Sequence, residues 1–216
     1  MWTGFPHYSM WLEEQGKPGR DYSIGFSNAS GMKINFNFDA EDPEARTINR
    51  NVHFRRALSL AIDRKSLSRA LAFDLMTPIG AAWAMDSPYV DEGSAYRYSE
   101  YDPKRARKIL DDAHIVDRDG DGIRELPTGE KLEMVWDMYA HDLYTPMSEM
   151  IVATVAKVGI KLILNQAHQT LYRKNYDAGN YEMSTHDFTD YNEPLLAIEK
   201  WIPTKPGAPY VQKEAR

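Results

Sequence analysis

Met32, Ile34, Phe36 and Phe38 alternate with Lys33, Asn35 and Asn37, the two-residue period of a strand with one buried and one solvated face. Asp42-Pro43 breaks that pattern. Phe54, Ala57, Leu58, Ala61, Ile62 and Leu71 then recur at helical spacing, with Arg55, Arg56, Asp63, Arg64 and Lys65 on the opposite side, and predict one long amphipathic helix. Asp102-Pro103 opens another helix, Asp as N-cap and Pro in the first turn, with Ala106, Ile109, Leu110 and Ala113 inward and a stop before Ile115.

From Lys131 onward the periods switch regularly. Leu132, Met134, Trp136 and Met138 alternate as a strand, and a helix opening at Thr145-Pro146 turns Met147, Ile151, Val155 and Val158 inward and ends at Gly159. Ile160, Leu162 and Leu164 form the next strand, Gln169–Tyr176 a helix stopped at Gly179, and Tyr181–Asp187 a further strand. Such a β-α-β-α-β order places parallel strands in one sheet through right-handed crossovers. The fold class is therefore α/β, a mixed sheet flanked by helices. Residues 1–20 and 203–216 are expected to be irregular ends, the first around a short apolar segment at Tyr8–Leu12, and Leu75–Ser99 an extended, aromatic-rich loop.

Composition narrows the function classes. The 216 residues, 43% hydrophobic, suffice for one core, and nothing divides the chain into separate domains. A formal charge of −6 with scattered basic residues argues against a nucleic-acid partner, whose phosphates need clustered Lys and Arg. With no cysteine there is no disulfide framework, thiol nucleophile or thiolate metal site. No stretch reaches the roughly 18–20 apolar residues of a membrane span. The histidines His7, His53, His114, His141, His168 and His186 show no zinc-ligand spacing, Gly25–Ala29 lacks the last glycine of a nucleophile elbow, and no phosphate-cradling glycine loop occurs. Asp117-Arg118-Asp119-Gly120-Asp121-Gly122-Ile123 matches the first half of a calcium loop, with Glu125 at the ninth position but Thr128 where a bidentate Glu belongs at the twelfth. The alternative is a polar turn between a helix and a hairpin, its glycines supplying positive φ. No other cofactor is implied.

Several blocks, in order, resemble one family. Phe54-Arg55-Arg56-Ala57-Leu58-Ser59-Leu60-Ala61-Ile62-Asp63-Arg64 is similar to the signature helix of the oligopeptide/dipeptide class (family 5) of ABC-transporter extracellular solute-binding proteins. Tyr101–Ala106, Asp119–Arg124, Gly129–Leu132 and Asp190-Tyr191-Asn192-Glu193-Pro194 resemble its later blocks. The resemblance implies one lobe of a type II periplasmic-binding fold spanning residues 1–216, with Met1 an introduced start. It further implies a missing second lobe, ABC-importer membrane subunits as partners, a periplasmic or extracellular, membrane-associated location, and binding rather than catalysis.

By that resemblance Asp190 pairs with a peptide's α-ammonium, and Asp187, His168, Tyr172, Asn175 and Tyr191 complete the ligand-facing set. The family's contact tryptophans fall on His168 and Asp187, and its carboxylate-binding arginines on Asn175 and Ser184, so a free peptide C-terminus loses its expected partners. Against these roles stand an exposed turn aspartate for Asp190 and core packing for the stripe His168, Tyr172, Tyr176. The expected ligand is an oligopeptide; the variant on the same fold is an oligosaccharide, which Trp83, Tyr96, Asn175 and Asn192 would suit. A hydrolase using Asp187, Asp190 or Glu193 as paired carboxylates is the alternative from another class.

Overall fold

The sheet is built around the tryptophan strand. The computed structural model describes residues 7–24, 32–80 and 91–187, and in it β2 (Glu133–Tyr139) alternates half-buried and buried positions, with Met134, Trp136 and Met138 turned wholly inward. β2 pairs in parallel with β3 (Lys161–Ala167) on one side and with β4 (Met183–Asp187) on the other; β1 (Met32–Phe36) runs antiparallel beside β4. The order is β1-β4-β2-β3, one mixed sheet, as the alternation and the β-α-β order predict. Among the described residues no helix is long and apolar enough to cross a membrane.

One face of the sheet carries the main core. Phe54, Leu58 and Leu60 of α3 (Val52–Ala61), Leu110 of α6 (Pro103–Asp112) and Ile151 and Val155 of α7 (Tyr144–Val155) cluster with Met134 and Trp136, all almost fully buried. Each large apolar side chain removed from water in this way stabilises the fold by roughly 1.5–3 kcal/mol. A 3-10 turn, Ala156–Val158, ends at Gly159, whose φ of +83° makes the left-handed cap that sends the chain into β3.

The structure departs from the periodicity in five places. The long helix expected from Phe54 to Leu71 is two, α3 and α4 (Arg64–Leu71), because the Asp63 side chain accepts a hydrogen bond from Ser66 N at 3.0 Å and caps a new start. Asp42-Pro43 is likewise a beginning as well as a break: Asp42 caps α2 (Pro43–Arg50). Within the expected irregular start lies α1 (Tyr8–Glu14), and within the expected loop a single turn, α5 (Glu92–Ala95). Residues 203–216 lie outside the described residues.

The fifth departure concerns the polar side of β1 and the residue just past it: Asn35 is buried and Lys33 half-buried, where a solvated face was expected. Asn37 is fully buried, its Nδ2 donating to Gly179 O (2.9 Å) and Tyr181 O (2.8 Å) and its Oδ1 accepting from Asp39 N (3.1 Å). Asn49, also fully buried, donates to Asn37 O (3.0 Å) and Glu182 O (2.8 Å). These amides tie β1 and α2 to the turn that enters β4, adding to the backbone bonds that Asn37 N makes to Glu182 O (3.0 Å) and Ala40 N to Asn37 O (3.4 Å). Glu182 does the same for β2, its carboxylate accepting from Val135 N at 2.7 Å just before β4 begins.

Candidate functional site

The three parallel strands point their carboxyl ends to one edge of the sheet, the edge at which open α/β folds take ligands. Tyr139 pairs with Ala167, and Asp137 with Ser184, so the register carried one step further puts Ala140, His168 and Asp187 in one row. His168 and Asp187 are thereby two strand spacings apart, about 10 Å. The structure thus brings these two expected site residues to the same edge. His168 is exposed and also caps α8 (Gln169–Ala178), its Nδ1 accepting from Thr170 N at 3.3 Å.

Tyr172 and Asn175 sit differently. Tyr172, in the first turns of α8, is 6% exposed and donates its hydroxyl hydrogen bond to Thr185 O of β4. Burial pushes its pKa up, with smaller electrostatic contributions from Tyr139 and Asp137. It stacks on Tyr176 (ring centroids 6.0 Å apart), which stacks on Tyr181 (5.2 Å), so this part of the stripe packs α8 against the second face of the sheet. Asn175 is half-buried one helical stretch beyond His168, about 10 Å along the axis, and its carbonyl accepts from the cap at Gly179 and Asn180. Asp190 and Tyr191 lie outside the described residues, as do Trp83, Asn192 and Glu193.

Side chains that the sequence reading passed over complete the edge. Tyr139 closes β2 with its ring 5.4 Å from Tyr172 and edge-on to His141 at 5.9 Å; His141 in turn stacks on Tyr144 at 4.3 Å. The His141 ring accepts from Leu143 N (3.2 Å) and Tyr144 N (3.4 Å), which orders the start of α7. Thr145 Oγ1 accepts from Gln166 Nε2 at 3.1 Å and joins this turn to the end of β3. The available sequence signal was the strand's last inward-outward step at Tyr139, followed six residues later by the helix-opening Thr145-Pro146.

Behind the edge, the register aligns Asn165, Asp137, Ser184 and Asn35 across all four strands. Asn165 Nδ2 donates to Asp137 Oδ1 at 2.6 Å, and Asn35 Nδ2 donates to the Tyr176 hydroxyl at 3.3 Å. Burial raises the pKa of Asp137, partly opposed by the Asn165 bond. This polar row, floored by α8, offers amide, hydroxyl and carboxylate groups. The acidic loop Asp117–Glu125 lies at the other end of β2, about 20 Å away.

Comparison with known proteins bears on the fold and the family. Residues 2–202 match the model for bacterial extracellular solute-binding proteins, family 5 Middle. A curated relative, the periplasmic alpha-galactoside-binding protein of Rhizobium meliloti (strain 1021), is 29% identical over 167 residues, which are 70% of this chain and 23% of the relative. The oligopeptide-binding protein OppA superposes with a TM-score of 0.76 at 27% identity, covering 83% of this chain and 28% of OppA. The periplasmic binding protein MelB of Agrobacterium fabrum C58, solved in complex with stachyose, gives a TM-score of 0.82 at 19% identity over 97% of this chain and 33% of that one. The chain thus spans a quarter to a third of the relatives' lengths. Fold and family are those of binding proteins rather than enzymes: the chain belongs to the bacterial extracellular solute-binding proteins, family 5.

Proposed function

We propose that this chain is the ligand-facing lobe of an extracytoplasmic solute-binding protein that hands an oligosaccharide to an ABC importer. The observation that carries the substrate class is the chemistry of the carboxyl edge. Tyr139, His141, Thr145, Gln166 and His168 present phenol, imidazole, hydroxyl and amide groups, which suit the hydroxyls and apolar ring faces of a sugar. Asn175 and Ser184 stand where the resemblance places carboxylate-binding arginines, and an alpha-galactoside binder is among the relatives. A second lobe would close over this edge and exclude water, as two-lobed clamps do.

An oligopeptide is the second reading, favoured by the likeness to OppA and by Asp190, which the resemblance pairs with an α-ammonium. Calorimetry on the full-length protein separates them. Stachyose and mannose oligosaccharides are expected to bind at micromolar Kd, with peptides silent; peptide binding without sugar binding would overturn the oligosaccharide reading. Binding of neither by a folded, full-length protein would count against both.

A further inference from the structure

Between the end of α6 and the start of β2 the chain makes a hairpin, with bridges Val116 to Glu125 and Glu125 to Lys131, and its tip gathers four carboxylates. One oxygen from each of Asp117, Asp119, Asp121 and Glu125 lies within 4.8 Å of the others. Oxygens on opposite sides of one calcium ion, bound at roughly 2.3–2.6 Å, are separated by that same distance. Gly122, at the loop's sixth position, has φ +90° and donates its N–H to Asp117 Oδ2 at 3.0 Å, while the N–H groups of Gly120, Asp121 and Ile123 hold Asp117, Asp119 and Asp121 in the loop.

An exposed acidic turn would share the spacing, but Glu125 distinguishes this one. It is only 5% exposed; its Oε2 accepts from Arg118 N at 2.7 Å, while its Oε1 is buried without a hydrogen-bond partner among the described residues. A buried carboxylate oxygen without a donor is strongly disfavoured unless a cation meets it. Two cations stand nearby, and neither meets that oxygen: Arg118 Nη1 lies 4.0 Å from Glu125 Oε2, and Lys131 Nζ hydrogen-bonds Asp121 and lies 3.3 Å from Asp119.

We propose that Asp117, Asp119, Asp121 and Glu125 bind one calcium ion, and that Lys131 is the internal cation the ion displaces. The ninth-position Glu supplies a carboxylate here, while Thr128 at the twelfth position withholds the usual bidentate one, so the affinity belongs to the weak range of extracellular modules, about 10⁻⁴–10⁻³ M. All-protein oxygen ligands in a flexible loop favour calcium over magnesium, which keeps its waters. Placed at the amino end of β2, the ion would hold the α6–β2 connection and leave the carboxyl edge untouched.

The test uses the full 216-residue chain, stripped with a chelator and titrated with calcium chloride at constant ionic strength, with magnesium as the comparison. One calcium per chain, a Kd in the stated range and a rise in Tm are expected. Asp119→Asn, an exposed change that leaves folding intact, should weaken binding at least tenfold, Glu125→Gln similarly, and Lys131→Met should tighten it several-fold. No heat and no Tm change at about 10 mM calcium would overturn the site, as would binding indifferent to Asp119→Asn; binding unchanged or weakened in Lys131→Met would overturn the displacement.

Discussion

Asn37→Ala tests whether the buried amides hold the sheet together. The side chain makes three hydrogen bonds, two donated to Gly179 O and Tyr181 O and one accepted from Asp39 N, and none of its surface meets solvent. At a net ~0.5–1.5 kcal/mol each, with two carbonyls left buried, the loss sums to about 2–4 kcal/mol. For a chain of this size that is a fall in Tm of roughly 4–16 °C. Urea unfolding with an unchanged m-value measures it, with exposed Lys104→Ala as a control expected to stay within about 0.5 kcal/mol. Asn37→Asp sharpens the argument, since it keeps the shape but turns acceptor oxygens, and at neutral pH a charge, toward two carbonyls. Burial raises that carboxyl's pKa, so the variant's stability should be greatest below the unfolded aspartate value and fall as pH rises through the folded one. A loss under about 1 kcal/mol for Asn37→Ala would refute the reasoning and mean that water replaces the amide at no cost.

Four further outcomes can be checked. Gly159→Ala should destabilise the chain by about 2 kcal/mol or more by thermal melting, because φ is +83° and the new Cβ would stand 2.7 Å from Arg124 Cγ, whose head is pinned to Asp111, Ile115 O and Val158 O. Asp137→Asn should leave acid stability unchanged and raise stability at neutral pH: the raised folded pKa of Asp137 means its contribution is present below the unfolded pKa and is lost as pH rises through the folded one. If the chain is the lobe proposed above, the 216 residues alone should bind sugars or peptides no tighter than about millimolar, around −4 kcal/mol, since half a clamp leaves the ligand wet; micromolar binding would count against the lobe reading. In the full-length protein, Asp190→Asn should cost only about 0.5–1.5 kcal/mol of oligosaccharide affinity, against roughly 2–5 kcal/mol if an enclosed ammonium loses its partner, and calorimetry distinguishes the two.

The sheet and the later helices were legible because their signals are local: alternation in β2, Gly159 and Gly179 as helix stops, Asp102-Pro103 as a start. The split at Asp63 was local too: at about 100° per residue a continuous helix would turn Leu67 and Leu71 away from the face of Phe54, Ala57, Leu58 and Ala61, a phase break that the reading of one long helix passed over. Burial of Asn37 depends on carbonyls more than 140 positions away, a contact no window of sequence contains. At the site, His168 and Asp187 came from the family resemblance and the strand register sets them at one edge, whereas the Tyr139, His141 and Tyr144 contacts required the turn's geometry. The buried oxygen of Glu125 was beyond a motif that records only spacing.

The pairing of β1 with β4 has a kinetic consequence. Met32 lies opposite Asp187, so the first and last described strands meet only after the chain between them has closed a loop from position 32 to position 187. Closure entropy grows with the logarithm of loop length, and such distant contacts tend to form late in folding. The parallel pairing of β2 and β3, joined by one local crossover, can assemble first and leave the exposed edge of β2 waiting for its neighbours. During synthesis β1 would emerge early and remain without its partner until β4 arrives. That unpaired interval is when the chain is most open to capture by another copy's edge.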